Sequence, residues 1–461
     1  LPVKNAYKVF SLYRVADVFL LLGIWVCHHY FGRSITFAEL QDMLASGRPI
    51  IENPVYQMGI PLIFLVVALV KSAQLPFSSW LPRAVEGPTT SSAIFYGSLS
   101  VHIGVFLLLR TWPLWADNTA FKIIVIGFGV STSIVTTMIA RVQSSVKTQI
   151  AYSSIAQIGL MFVEVALGWH GLALFHFASN AFLRTYQLLV SPSMLSYLIH
   201  DQFFNFIPPQ HNFKSTFWGK LRMSAYILSI KEWNLDTLQY RLLWSPMKKI
   251  GRNPGFITAK TALVIFLPLY VLGLYFVYHR DTVPGYILAY LPLPLAFVGL
   301  LLILKALVKR NAARNSWMLI LISQLFVALA IAFNEQFDFG QIHLYLSGIF
   351  VSGGLGFYGL YVLKKDGENT DLDCFHGHSY EHPRLSNLFL VACLGLTGFP
   401  VTPTFIGEDV LLGHVHENQY LLTFLLALTL ILDGLAVFRV YCRLFLGPHS
   451  KPYHETAYRS S

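Results

Sequence analysis

Lys71 closes an apolar run that begins at Met58, and the chain then reads Ser-Ala-Gln-Leu-Pro76-Phe-Ser-Ser-Trp80-Leu-Pro82-Arg-Ala-Val-Glu86-Gly-Pro88 before apolar residues resume. A cation and an acid therefore flank a proline-rich interruption. Arg14 and Asp17 stand three apart in the preceding apolar run, on one helical face, where they can pair. His102 lies in the middle of another run, and His176, Asn180 and Arg184 follow at intervals of four, which stacks them as a polar stripe. Pro400 and Pro403 precede Glu408 and Asp409. The chemistry open to these types in apolar surroundings is proton transfer. Low dielectric disfavours the charged form of lysine and carboxylate alike, and histidine titrates near neutrality unaided. A purely structural ion pair is an equal reading of Arg14 and Asp17, and packing roles are the simpler reading of Glu164, Lys305 and Asp433. The sequence carries no nucleophile elbow, phosphate-cradling loop or haem-ligand pair, so no catalytic residue, redox chemistry or cofactor is expected.

The elements that must hold these residues are membrane helices. Of 461 residues, 55% are hydrophobic and 12% charged, and the mean hydropathy is +0.55, outside the range of soluble domains. At about 20 residues per span, roughly twelve spans are expected: 11–32, 58–75, 90–110, 121–140, 150–167, 171–198, 259–278, 286–306, 316–333, 341–363, 386–411 and 420–446. Two are interrupted, the second at Pro76 and Pro82, the eleventh at Pro400 and Pro403. Proline removes a backbone donor, and in hydrocarbon the freed groups need protein or water, so such breaks line cavities or buried interfaces.

The net charge of +10 reads by location rather than as a nucleic-acid signal. Lys4, Lys8, Arg141, Lys147, Lys305, Lys309, Arg310 and Arg314 fall on one side by parity, which makes that side, and both ends of the chain, cytoplasmic. Residues 199–258 read as a basic amphipathic segment resting on the membrane surface. The loop from Asp373 to His382 holds Cys374, His376, His378 and His382, but matches no zinc spacing known to us, and no metal site is expected. The four cysteines are scattered and support no disulfide framework. The chain begins at Leu1 and is expected to be a piece of a longer protein.

Several blocks carry a resemblance: Tyr13-Arg14-Val-Ala-Asp17, the Lys71 to Pro82 block with Glu86-Gly-Pro-Thr, Val146-Lys147-Thr-Gln-Ile-Ala-Tyr-Ser-Ser, Phe175-His176 through Arg184, and Gly398-Phe-Pro400 leading to Glu408 and Asp409. They are similar to the antiporter-like proton-translocating subunits of respiratory complex I, Mrp-type cation/proton antiporters and membrane hydrogenases. The resemblance implies an all-α polytopic fold with inverted repeats, each with one broken helix. It makes Lys71 the central lysine of a first half-channel, partnered by a glutamate upstream of Leu1, and places Lys147 at the start of the second repeat. It divides the chain into 1–140 (the first repeat and the start of the second), 141–198, the basic segment 199–258, a membrane block 259–365 without counterpart in the family plan, and 366–461 with the second break.

Departures from the pattern are Asn180 for a histidine, Arg184 for a lysine and Glu408 for a lysine; His102 replaces a lysine of one paralogue. Arg184 holds its charge at any useful pH and cannot relay a proton. This divergence most resembles the membrane subunit of bacterial inorganic-carbon uptake systems of the DabB or MpsA type. That implies a large soluble zinc-containing subunit of the DabA type as partner, protons or Na+ as the moving ion, and the bacterial inner membrane as location. The alternatives are a subunit of a complex I-like or Mrp-type assembly and a non-conducting scaffold.

Overall fold

The computed structural model describes residues 2–46, 50–204, 217–279, 284–334, 339–416 and 418–448. It divides into two compact units, Leu1–Ser245 and Pro246–Ser461. All regular structure among the described residues is helical.

The first unit contains α1 (Pro2–Phe31), α2 (Phe37–Ala45), α3 (Pro54–Lys71), α4 (Trp80–Ala84) and α5 (Thr89–Ser92). From α5 a π-helical turn (Ala93–Leu99) and a 3-10 turn (Ser100–His102) lead into α6 (Ile103–Arg110). Then follow α7 (Thr119–Ala140), α8 (Val146–Ala166), α9 (His170–Phe204), α10 (Phe217–Ile230) and α11 (Leu235–Gln239). Local chemistry sets several starts. Thr36 and Glu39 form a capping box at α2, Asn53 caps α3 just before Pro54, and Asn118 accepts from the Phe121 amide at α7. α7 and α8 approach through glycine, since a Cβ on Gly129 would lie 2.5 Å from the Gly159 carbonyl oxygen. Small residues let membrane helices meet at backbone distance.

The second unit contains α12 (Ser245–Arg252), α13 (Ala259–Thr261), α14 (Leu267–Tyr278), α15 (Gly285–Tyr290), α16 (Pro292–Val308) and α17 (Ala313–Ala332). It is completed by α18 (Phe339–Lys365), α19 (Pro383–Leu396), α20 (Pro403–Gly413) and α21 (Tyr420–Leu444). α17 and α21 are the most enclosed of the long apolar helices.

Among the described residues, eight helical stretches are long and apolar enough to cross a membrane, and three more, Ala262–Tyr278, Pro292–Val308 and Pro383–Leu396, are apolar but shorter. With α9 these cover the expected spans. The first span begins earlier than expected, at Pro2, and the two interrupted spans differ at their breaks. The second span ends at Lys71 rather than residue 75, because Ala73 takes a left-handed conformation (φ 52°). The eleventh is two helices, α19 and α20, separated where Gly398 (φ 64°) and Val401 (φ 83°) are left-handed. Within 199–258, α9 runs on to Phe204, residues 205–216 lie outside the described residues, and α10 exposes Phe217, Trp218, Leu221, Tyr226 and Ile227.

Candidate proton path

At the first break the chain turns between Lys71 and Trp80. The freed backbone is satisfied from several directions. Trp80 Nε1 donates to the Val70 carbonyl at 2.8 Å, the Leu75 amide donates to Thr132 Oγ1 at 3.1 Å, and Gln239 Nε2 donates to the Pro76 carbonyl at 2.7 Å. Gln74 Nε2 bonds the Ser72 carbonyl, and Ser72 Oγ accepts from the Gly104 amide. Side chains from several elements thus supply the partners of the break.

Lys71 Nζ lies 2.6 Å from Asp17 Oδ1 and 4.2 Å from the centre of the Tyr13 ring. The lysine side chain is 16% exposed and the aspartate 49%. The sequence pattern offers Arg14 as a partner for Asp17, and the resemblance places the carboxylate partner of Lys71 upstream of Leu1; in the structure Asp17 is on Lys71 itself. Arg14 is buried and lines, with Asp17, Arg83, Glu86 and Tyr96, a cavity of about 640 Å³. Glu86 accepts from Asn5 Nδ2 at 2.6 Å, and Lys147 reaches back to the Gly87 carbonyl at 3.0 Å.

The stripe on α9 faces the interior at Asn180 and Arg184, both buried. His102 is fully buried where the π-helical and 3-10 turns distort the third span. Its Nδ1 bonds the Ser98 carbonyl at 2.8 Å, and because a carbonyl only accepts, that nitrogen carries the proton. Nε2 then accepts from Asn180 Nδ2 at 3.0 Å. Arg184 Nε donates to Asn180 Oδ1 at 3.1 Å, which fixes the amide with its NH2 toward the histidine. The arginine also donates to Gln187 and to the Ser153 carbonyl. One turn earlier, His176 lies 2.8 Å from Glu164 Oε1 and 3.0 Å from Gln157 Oε1. The packing role read for Glu164 gives way to a polar one, since it pairs with a member of the stripe.

Sequence reading missed a second charged group at this break. Arg83 Nη2 lies 2.8 Å from Glu232 Oε2 and 4.0 Å from Asp236 Oδ2, and Lys8 pairs with Asp236. Burial holds the Glu232 carboxyl above its ordinary range, against the pull of Arg83. Burial also acts to raise Asp236, but the Lys8 hydrogen bond and charge outweigh it, and that carboxyl titrates below its ordinary range. Residues 232–234 are all left-handed, and the segment bends there, with Glu232 mostly buried and Asp236 half-exposed. A net-basic segment hid them.

In the second unit Glu408 is buried on α20 against Gly398, where an added Cβ would lie 2.7 Å from the carboxyl carbon. Asp409 is on the same helix, and its side chain lies outside the described residues. Asp433 is fully buried in mid-α21, which excludes a helix-end role, and Lys305 reaches the Pro254 carbonyl at 2.8 Å.

Residues 3–206 match the family described as NADH:quinone oxidoreductase/Mrp antiporter, TM. The chain is 32% identical over 206 residues to NADH-quinone oxidoreductase subunit L of Neisseria meningitidis, covering 42% of this chain and 30% of that protein. NADH-ubiquinone oxidoreductase chain 5 of Talaromyces marneffei is 33% identical over 192 residues, covering 41% and 28%. The chain thus spans under a third of the length of these relatives. The Arg14, Lys71, Lys147 and α9 blocks all fall inside the matched region, which is similar to the membrane modules of these proteins.

Proposed function

We propose that this chain, an antiporter-like membrane module over residues 3–206, translocates protons as one subunit of a hetero-oligomeric membrane complex of the NADH:quinone oxidoreductase or Mrp antiporter kind. The observation that supports this most directly is the Lys71–Asp17 pair at 2.6 Å, poised on a broken helix and bordering a cavity. Two unit charges 4 Å apart interact by roughly 4 kcal/mol at an effective dielectric of 20, and about 1.4 kcal/mol changes a protonation equilibrium tenfold. Moving the Asp17 carboxylate therefore suffices to load or unload the lysine. Glu86 and Arg14 on the same cavity wall supply the counter-charges. Deeper in the bundle His102 and His176 are the carriers, and Arg184 positions Asn180, which must release His102 Nε2 before that atom takes up a proton. Gln74 Oε1 and Glu164 Oε2 are buried without protein hydrogen-bond partners, where water would complete a relay. Glu408 is the candidate for the second half.

The chain would sit in a bacterial inner membrane with both ends cytoplasmic. Proton flux into proteoliposomes, read by a pH-sensitive dye, tests the function. Flux equal to wild type in Lys71→Ala would sink the path, and full flux in Lys71→Arg would reduce the lysine to a counter-ion.

A second reading keeps the conduction but couples it to inorganic-carbon uptake with a soluble zinc-containing subunit. It is supported by the resemblance of the runs Trp169-His170-Gly-Leu-Ala-Leu-Phe-His176 and Pro403-Thr-Phe-Ile-Gly-Glu408-Asp409, whereas Asn180 and Arg184, which replace titratable members of the stripe, favour a non-conducting scaffold. Bicarbonate accumulation by cells expressing the chain with such a subunit, against quinone-linked NADH oxidation, separates the two.

A further inference from the structure

The loop between α18 and α19, residues 366–382, is long for a connection without regular structure, a length that in compact domains usually marks function. It is nevertheless pinned. The Leu372 amide bonds the Arg310 carbonyl at 2.7 Å, the Ala313 amide bonds Thr370 at 2.9 Å, and the amides of His376, His378 and Ser379 bond the last carbonyls of α21 and Phe445 at 2.9 to 3.1 Å. The anchored loop brings Glu368, Glu381 and His382 together, one ligand atom of each lying within 4.8 Å of the others.

A fourth donor faces the same carboxylate. His378 Nε2 bonds the Asn369 carbonyl at 2.9 Å, so that nitrogen carries the proton, and Nδ1 points to Glu368 Oε2 at 3.4 Å. Fixing one imidazole nitrogen on a backbone carbonyl and offering the other is how metal-ligating histidines are oriented. His378 and His382 are also joined by a single turn, the His382 amide bonding the His378 carbonyl at 2.8 Å. Four-residue spacing across one turn lets two imidazoles address one ion, as in the helical zinc motifs with two histidines. His382 Nε2 is 3.6 Å from Glu368 Oε1, so both imidazoles flank one nearly buried carboxylate.

We propose that Glu368, His378 and His382, with Glu381 as the fourth donor, bind a divalent first-row transition ion, of which Zn2+ is the probe of choice. Two imidazoles with carboxylates suit such an ion better than Mg2+ or Ca2+, which favour all-oxygen shells. Donors around tetrahedral zinc stand about 3.3 Å apart, a contraction that side-chain rotation supplies. The Asp373 to His382 window hid this site because Glu368 lies upstream of it.

The test uses the whole chain, purified in detergent without a histidine tag and stripped with chelator. Calorimetric titration with Zn2+ should show one ion per chain, and Glu368→Gln and His382→Ala should each weaken binding at least tenfold. Glu381→Gln, at the fourth donor, should weaken it less. Loaded with Co2+, the wild type should show the visible absorption of a four-coordinate site. Absence of stoichiometric binding overturns the proposal, as does unchanged Zn2+ affinity in a folded Glu368→Gln variant. Equal loss in His414→Ala, outside the cluster, also overturns it by showing surface binding.

Discussion

The two broken helices meet one requirement in different ways. At the first, between Lys71 and Trp80, the unpaired backbone groups are answered by side chains from α4, α7 and α11. At the second, between Leu396 and Pro403, the answer is local: Thr397 Oγ1 bonds the Cys393 carbonyl at 3.0 Å, Thr402 Oγ1 bonds Phe399 at 2.7 Å, and Thr404 Oγ1 bonds Gly395. The charge differs too. The first presents a lysine paired with a half-exposed aspartate beside a cavity; the second presents a carboxyl enclosed against a glycine. The first break therefore depends on the positions of other helices, whereas the second depends mainly on its own threonines. Under the proposed function the first break would be the switch and the second a fixed station for charge.

The largest effect tests that assignment. Lys71→Ala should bring proton flux in proteoliposomes to background. Glu408→Gln should lower it at least tenfold with the protein still in the membrane, and wild-type flux in that variant would confine the path to the first unit. Next comes Trp80→Phe, which leaves the buried Val70 carbonyl without its donor and should cost about 1–3 kcal/mol by thermal unfolding in detergent. Gln239→Ala, which strips the Pro76 carbonyl, should cost about 1 kcal/mol and also change the reactivity of a cysteine placed at Ser78. The smallest effect is expected at Thr402→Val, about 0.5–1 kcal/mol, because that residue is only half-buried. A larger cost there than at Trp80 would reverse the comparison.

The membrane character and the placement of the helices were legible because apolar length and proline are strong signals read residue by residue. The stripe His176, Asn180, Arg184 was legible for the same reason, since its spacing is a property of one helix. What crossed between helices was not. Nothing in Glu232 or Asp236 marks them as partners of Arg83 and Lys8, because their segment is net basic and its bend lies in three left-handed residues. The pairing of Asp17 with Lys71 likewise depends on how α1 and α3 pack. The distortion around His102 had only faint signals, Gly97 and a run of serines and threonines that hold a helix weakly.

The bond from Gln239 to the Pro76 carbonyl joins residues 163 positions apart, and that separation sets an order of events during synthesis. At roughly 5 to 20 residues per second, the carbonyl waits on the order of 8 to 33 seconds between leaving the ribosome and meeting its donor. Through that interval the interrupted helix must be sheltered by water, by the insertion machinery or by a transient partner. The newborn chain is thus most exposed to quality-control proteases before α11 arrives, and a truncation just short of Leu235 should be cleared faster than one just beyond Ser245.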